Sequence, residues 1–330
     1  MVLLALSVNV SRQYYSLLLW ASSAFIILSG CTPKNPLPPG KYTTSSQLKV
    51  PFVSPRSELC ASTSIEMLAS YWQEKTSYVP RLSQQELDGR TLIPEKGGTL
   101  QIELVATARA NGLLVYPLNP TFDALFSELE KQHPVIVLLN RGYSWYPLWH
   151  YAPVTGYDAQ KQTVLMHYAD EPNESLPVET FAALWERSAH WGVVLLPPGR
   201  LPASASPHTF LRSAYALEKT GRRDDAITAY QSALKRWPKD TDIRFALANA
   251  YYASHQLKKA EQHYRKLLSL QPKHPLARNN LANLLCRTDR SNEALRVITR
   301  AVSDDREIRS IIKATRKEIT NGCTPLIIRD

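Results

Sequence analysis

SELCASTSIEML, residues 57–68, places Cys60 where an apolar helical pattern begins. Ile65, Leu68, Ala69 and the pair Tyr71 and Trp72 continue one apolar side, so a helix is expected over 60–74 with the cysteine in its first turn. Three roles are open to such a cysteine: buried filler, half of a disulfide, or nucleophile. Thiolate is the reactive form, and the unpaired N–H groups of a helix start favour negative charge there. A nucleophile also needs a base, which directs attention to the histidines downstream.

Working outward, Gly97, Gly98 and Thr99 precede a second helix, 100–110, which Gly112 ends. A third helix, 121–131, leads into a short strand of the buried type, 135–139. HYAPVTGYD (150–158), a turn at 159–162 and TVLMHYA (163–169) make a hairpin with alternating faces. Asp158 is the expected turn initiator, and Pro153 points to a sheet edge because it removes a donor. Another helix is expected near 179–187, after which WGVVLL (191–196) closes the sheet. Helices followed by antiparallel strands give an α+β order over 48–200.

His150 heads the hairpin between Trp149 and Tyr151, and is the residue suited to take the thiol proton and pass it to a leaving amine. His133, next to Pro134, is expected to be exposed; His167 is expected to pack in the core or at an edge, and His190 to be structural. No HExxH or paired CxxC occurs, so neither a metal site nor a cofactor is expected.

The last third has a period. Ala226, Ala260 and Ala294 are 34 residues apart, with Tyr230, Tyr264 and Ile298 four residues further on and Pro238 and Pro272 twelve after the first two. Ala214, Ala248 and Ala282 recur in phase, and Gly221 holds a turn that His255 and Asp289 take in the other units. This matches the tetratricopeptide pattern: two antiparallel helices crossing at a small residue, the second stopped by proline. Three repeats over 207–306, then a capping helix and tail over 307–330, are expected to form a curved groove for a protein partner. From Pro207 onward there are 24 basic and 13 acidic residues, a net +11 against +10 for the whole chain. A solvated helical face is the plain reading of that charge, and an acidic partner or anionic surface the other. No basic run is interleaved with aromatics, so nucleic acid is not an expected partner.

At the other end, SLLLWASSAFIIL (16–28) follows Arg12 and precedes Ser29, Gly30 and Cys31. The run is of signal-peptide length and short of the roughly 20 residues that span a bilayer. Leu28-Ser29-Gly30-Cys31 resembles a bacterial lipobox, which implies a signal over 1–30, a lipidated Cys31 and a tether over 31–47 rich in Pro, Gly, Ser and Thr. By the same resemblance, the absence of Asp after the lipidated position implies the outer membrane, with the chain facing the periplasm. That compartment is oxidising. With Cys31 assigned to lipid, Cys286 and Cys323 are a candidate pair in the C-terminal part, and Cys60 is the odd one out.

VPF (50–52), the cysteine at the helix start, HYxxVTGYD (150–158) and TVLMHYADEP (163–172) together resemble the double-glycine-leader, bacteriocin-processing type of cysteine peptidase. A group of bacterial lipoproteins that join such a domain to tetratricopeptide repeats is more similar still, closing the domain with HWxxVxLPPGRLPA as residues 190–203 do here. The resemblance implies a papain-like domain followed by an all-α solenoid. It also implies hydrolysis of a peptide or protein substrate, with Cys60 as nucleophile, His150 as base and Asp170 orienting the histidine. The chain departs from the family in having Ala61 after the nucleophile where relatives have Gly, and Ser54 and Pro55 where they have Gln. A missing oxyanion donor costs roughly 10²–10³ in rate. A catalytically idle adaptor is therefore the alternative, and capture of the acyl group by an amine a third possibility.

Overall fold

The computed structural model describes residues 42, 44–54, 58–168 and 170–323. The expected signal segment, Cys31 and most of the tether lie outside the described residues, as do Pro55 and residues 324–330. No described helix is long and apolar enough to cross a membrane.

The first domain begins with β1 (Ser46–Gln47), α1 (Cys60–Lys75), α2 (Gln84–Thr91) and α3 (Gln101–Ala110). Next come β2 (Leu114–Pro117), α4 (Phe122–Glu130), β3 (Val135–Asn140) and β4 (Trp149–Asp158). β5 (Thr163–Tyr168), β6 (Glu171–Pro177), α5 (Val178–Glu186) and β7 (Gly192–Leu196) complete it. The strands make one antiparallel sheet in the order β2-β7-β3-β4-β5-β6, with β1 also paired to β4. β7 is last in sequence, yet it lies between β2 and β3.

Every residue of β3 is buried, as its run of β-branched and leucine side chains requires when both faces are covered. Residues paired across β3 and β4 share a face: His150 and Ala152 with Leu139 and Val137, Tyr151 and Pro153 with Leu138 and Ile136. Helix α1 is wedged against β4 with Ile65, Leu68, Tyr71 and Trp72 sealed from solvent, and Trp72 Nε1 donates to Leu195 O at 2.7 Å. On α4, Phe126 stacks on Tyr157 of β4, ring centroids 4.3 Å apart.

Two expectations about this sheet need correcting. Pro153 does not mark an edge strand, because β4 is interior, between β3 and β5; pairing to β5 starts only at Val154, so the position lacking a donor faces no partner there. His133 is not exposed. It is buried and donates Nδ1–H to the buried Glu128 carboxylate at 2.8 Å. Asp158 does start its turn, accepting from the N–H groups of Gln160 and Lys161 at 3.0 Å each.

The repeats are three helix pairs: α6 (Pro207–Lys219) with α7 (Arg223–Arg236), α8 (Thr241–Ala253) with α9 (Leu257–Leu270), and α10 (Pro275–Arg287) with α11 (Ser291–Ile298). α12 (Arg306–Thr320) caps the array. The periodic alanines are all fully buried, as helix crossings at small residues demand. The 34-residue period extends to details of the caps. Ser206, Asp240 and His274 each accept a backbone N–H at the start of the first helix of a unit. Gly221, His255 and Asp289 all turn the chain with φ between 57° and 83°, left-handed backbone that glycine adopts without a Cβ penalty. Cys286 and Cys323 form a disulfide, Cα atoms 5.4 Å apart, tying α10 to the residues beyond the cap.

Glu128 fastens the domain to the segment that leads into the repeats. Besides His133, its carboxylate accepts from Ala203 N (2.9 Å), Ser204 N (3.1 Å) and Ser204 Oγ (3.0 Å). Farther along, Arg222 donates to Ala110 O at 2.6 Å and Arg81 pairs with Asp225 at 3.5 Å, so the first repeat docks on the α3–β2 end of the sheet domain.

Candidate active site

Cys60 is the first residue of α1. Leu59 precedes it and has no side chain able to cap, so the first-turn N–H groups are left for other partners. The sulfur lies beside the backbone N–H groups of Tyr151, Cys60 and Ala61, which favour the thiolate, but burial outweighs them and pushes the thiol up from its ordinary range. The resting sulfur is therefore a neutral thiol held among donors that would stabilise negative charge. Two residues before it, Glu58 has φ 64°, a strained value for a side chain with a Cβ.

A cleft of about 520 Å³ opens over the sulfur, lined by Cys60, Gly98, Leu100, Leu148, Trp149 and Tyr151. Tyr151 is fixed by its hydroxyl, which donates to Thr99 O at 3.1 Å, and by an edge contact with Trp191. The rim is the β3–β4 connection, where Tyr143, Trp145 and Tyr146 are 61–81% exposed. This loop is braced rather than slack. Asn140 Oδ1 accepts from Gly142 N and Leu148 N at 2.9 and 3.0 Å, and Arg187 donates to Gly142 O at 2.6 Å. A Cβ on Gly142 would lie 2.2 Å from Tyr146 O, so only glycine fits.

His150 is the residue between Trp149 and Tyr151, and strand alternation turns its ring away from the face those two share with the cleft. The ring meets Tyr168 edge to face at 5.0 Å, and the Arg141 guanidinium lies over the other partner of that contact, 4.6 Å from the Tyr168 centroid. Burial, helped by the Arg141 charge, lowers the imidazole to about 4, so it is neutral at neutral pH and a weaker base than a free imidazole. Among the described residues no hydrogen bond joins the Cys60 sulfur to His150; what adjoins the sulfur on β4 is the N–H of the next residue, Tyr151. Asp170 accepts from Ser54 Oγ at 3.0 Å, and no bond from it to His150 is found among the described residues. Ser54, at one of the two positions where relatives carry Gln, is thus close to Asp170. His167 is buried with Nε2 2.9 Å from Val50 O, and His190 packs edge-on to Trp185. Among the described residues no three His, Cys, Asp or Glu side chains converge as metal ligands would.

Several contributors escaped the sequence reading: the burial of His150, to which the Arg141 charge adds; the Tyr151 N–H; the strained Glu58; and the braced aromatic rim. The Tyr-Ser-Trp-Tyr-Pro-Leu-Trp run at 143–149 was the available signal for the rim, since so many aromatics between two strands are seldom needed by a turn.

Residues 42–192 match the model of the Peptidase_C39 like family, and residues 211–275 and 253–314 match two tetratricopeptide-repeat models. The chain carries a domain like that of the C39 peptidases followed by tetratricopeptide repeats. A comparison with curated proteins gives no match. Among solved structures, the type III secretion chaperone SycD of Yersinia enterocolitica, in complex with a peptide of the translocator YopD, is similar at 17% identity. The match covers 34% of this chain and 92% of that one, with a TM-score of 0.33. The first tetratricopeptide domain of Spaghetti (RPAP3), bound to the HSP90 peptide SRMEEVD, is similar at 16% identity over 35% of this chain and 90% of that one, TM-score 0.32.

Proposed function

We propose that the chain is a cysteine peptidase or related amide hydrolase of the bacterial envelope, held at the outer membrane by lipid on Cys31 and facing the periplasm. Its repeats recruit the substrate or a partner protein. The observation that carries the reading is Cys60 at an uncapped helix start, its sulfur at the floor of an open cleft among three backbone N–H groups, one of them from Tyr151, the residue after His150.

In this reading the thiol proton passes to the neutral His150 ring as the sulfur attacks the substrate carbonyl. The tetrahedral oxyanion is met by backbone N–H groups at the start of α1, which takes the place of the absent glutamine side chain. Protonated His150 then gives its proton to the leaving amine, and water releases the acyl group from sulfur. Proton transfer requires the sulfur and the ring to approach, and the reading assigns that approach to the substrate-bound state. The Cys286–Cys323 disulfide supports an oxidising compartment, because such bonds persist there and are rare in the cytosol.

A second reading, a catalytically idle adaptor that binds peptide in the same cleft and scaffolds an envelope complex, is favoured by one observation: Asp170 is engaged by Ser54. One experiment separates the two. The intact chain and Cys60→Ala are each incubated with a peptide mixture, and new termini are sought by mass spectrometry. Fragments made by the parent and absent from the variant support hydrolysis; identical mixtures leave the adaptor.

A further inference from the structure

The cleft over Cys60 does not end at its rim. It shares Thr99, Leu100, Trp149 and Tyr151 with a second depression, of about 380 Å³, that reaches Arg187 and Ser188. That one shares Gln101, Ser188 and Ala189 with a third, of about 460 Å³, that reaches Arg109 and Val115. Joined, they make one groove along α3 from the thiol to the far end of that helix. Its walls are largely apolar, with Leu100, Leu138, Val105, Trp149 and Val193 among them, and no acidic side chain lines the second or third depression.

Arg109 stands at the far end and is unusual in this chain. Arg265 and Arg290 meet Glu261 and Glu293 at 2.6–2.8 Å. Arg109 is half-buried, its side chain makes no hydrogen bond or ion pair among the described residues, and its Nε is sealed from solvent without a partner. Burial accordingly disfavours its charged form. A long cationic side chain ordinarily carries its head to water or to an acid, since desolvating an unpaired charge is costly. A guanidinium left unpaired beside an apolar groove suits a carboxylate, which it can grip with two parallel hydrogen bonds.

We propose that the groove holds an extended stretch of peptide and that Arg109 takes a carboxylate of that peptide, either an acidic side chain or its C-terminus. The distance from the scissile amide rests on Cys60 being the nucleophile; the binding itself does not. Gln101 and Arg109 are eight residues apart on α3, about 12 Å at 1.5 Å per residue, and an extended peptide covers this in about four residues. That span is added to the part of the groove between Cys60 and Gln101, so the carboxylate lies at least four residues from the bond at Cys60, on one side only.

The test uses the full chain with Cys60→Ala, which binds without turnover. The probes are octapeptides of alanine with one leucine to set the register, Glu or Gln placed at each position in turn, and each made as free acid and as C-terminal amide. The expected result is a preference of about ten-fold for a carboxylate, read as Glu over Gln or as free acid over amide, confined to one position at least four residues from the leucine. A preference that survives amidation identifies the side chain as the source, and one seen only in free acids ending at that position identifies the terminus. In Arg109→Met the preference disappears while the Gln series binds as before, and Arg109→Lys keeps part of it. Arg109→Met also unfolds at the parent temperature or above, since no partner is lost. Equal binding in both the Glu/Gln and the acid/amide comparisons, a carboxylate preference that persists in Arg109→Met, or no peptide binding would overturn the proposal. If the Glu preference holds but the intact chain cleaves nothing, the hydrolase reading fails and this one stands. Cleavage without any acid preference fails this one alone.

Discussion

Replacing Glu128 with alanine should unfold the sheet domain at markedly milder conditions. The carboxylate is sealed from solvent and accepts four hydrogen bonds at 2.8–3.1 Å, from His133, Ala203 N and both donors of Ser204. Its removal strands His133, whose side chain is only 6% exposed. A buried donor without a partner costs about 1–3 kcal/mol, whereas the Ser204 groups can turn to water and lose little. Adding the second backbone donor at Ala203 gives a loss of about 3 kcal/mol. For a domain of this size that is a fall in Tm of roughly 10 °C. Urea unfolding followed by tryptophan emission is the assay, because Trp72 lies 5.8 Å from the His133 ring and reports on this spot. Glu128→Gln keeps an acceptor but turns an NH₂ toward the donors, so about half the loss is expected. Limited proteolysis of Glu128→Ala should also open a site within residues 201–206, whose anchor is gone. Stability within about 0.5 kcal/mol of the parent, with no new cleavage there, would refute the assignment of Glu128 as the fastening between the domain and the repeats.

Three further outcomes follow from the same physics. His150 is held near 4 in the folded chain against 6.5 for a free imidazole, so the unfolded chain takes up the proton first as pH falls. Its contribution to stability is full above pH 6.5 and drains away by pH 4, up to about 3 kcal/mol, and the acid limb of kcat/KM should lie near 4 rather than near 6.5; a midpoint at 6.5 in both would contradict the burial argument. Gly221→Ala places a Cβ in open space but on backbone at φ 83°, so it should cost about 1 kcal/mol in thermal unfolding of the repeats, and no loss would show that the turn relaxes. Cys286→Ser with Cys323→Ser removes a cross-link spanning 37 residues and should lower repeat stability by about 3–4 kcal/mol in chemical denaturation, with the sheet domain unaffected; an unchanged midpoint would count against it.

The repeats were legible almost residue by residue, because each unit buries the same positions and a 34-residue period repeats the evidence three times. Helix α1 and the β4–β5 hairpin were legible from their own periodicities. Helix α2 was missed although Ser83 and Glu86 form a capping box, since its eight residues are mostly polar and bury only Leu87 and Thr91. β6 was missed for a related reason: its Glu, Asn, Ser and Pro side chains face solvent, and it is a strand only because β5 offers it a ladder. Pro153 misled because proline argues against ladder hydrogen bonds, not against a strand whose neighbour has not yet begun to pair. Within the site, sequence could name Cys60 and His150 as the thiol and the imidazole. It could not say that burial, with Arg141 nearby, would hold the imidazole neutral, or that Ser54 would be within reach of Asp170, because both depend on segments brought together across the sheet.

The central claim is that His150 serves the Cys60 sulfur. Cys60 is the free cysteine among the described residues, so alkylation by iodoacetamide reads that sulfur directly once Cys31 is mutated. Rates measured from pH 5 to 9 on the parent and on His150→Ala are the comparison. The parent should react at neutral pH at least about ten-fold faster than the variant, because the imidazole accepts the thiol proton as the sulfur attacks. Matching rate profiles for the two proteins would contradict it and leave a peptide-binding platform in place of an enzyme.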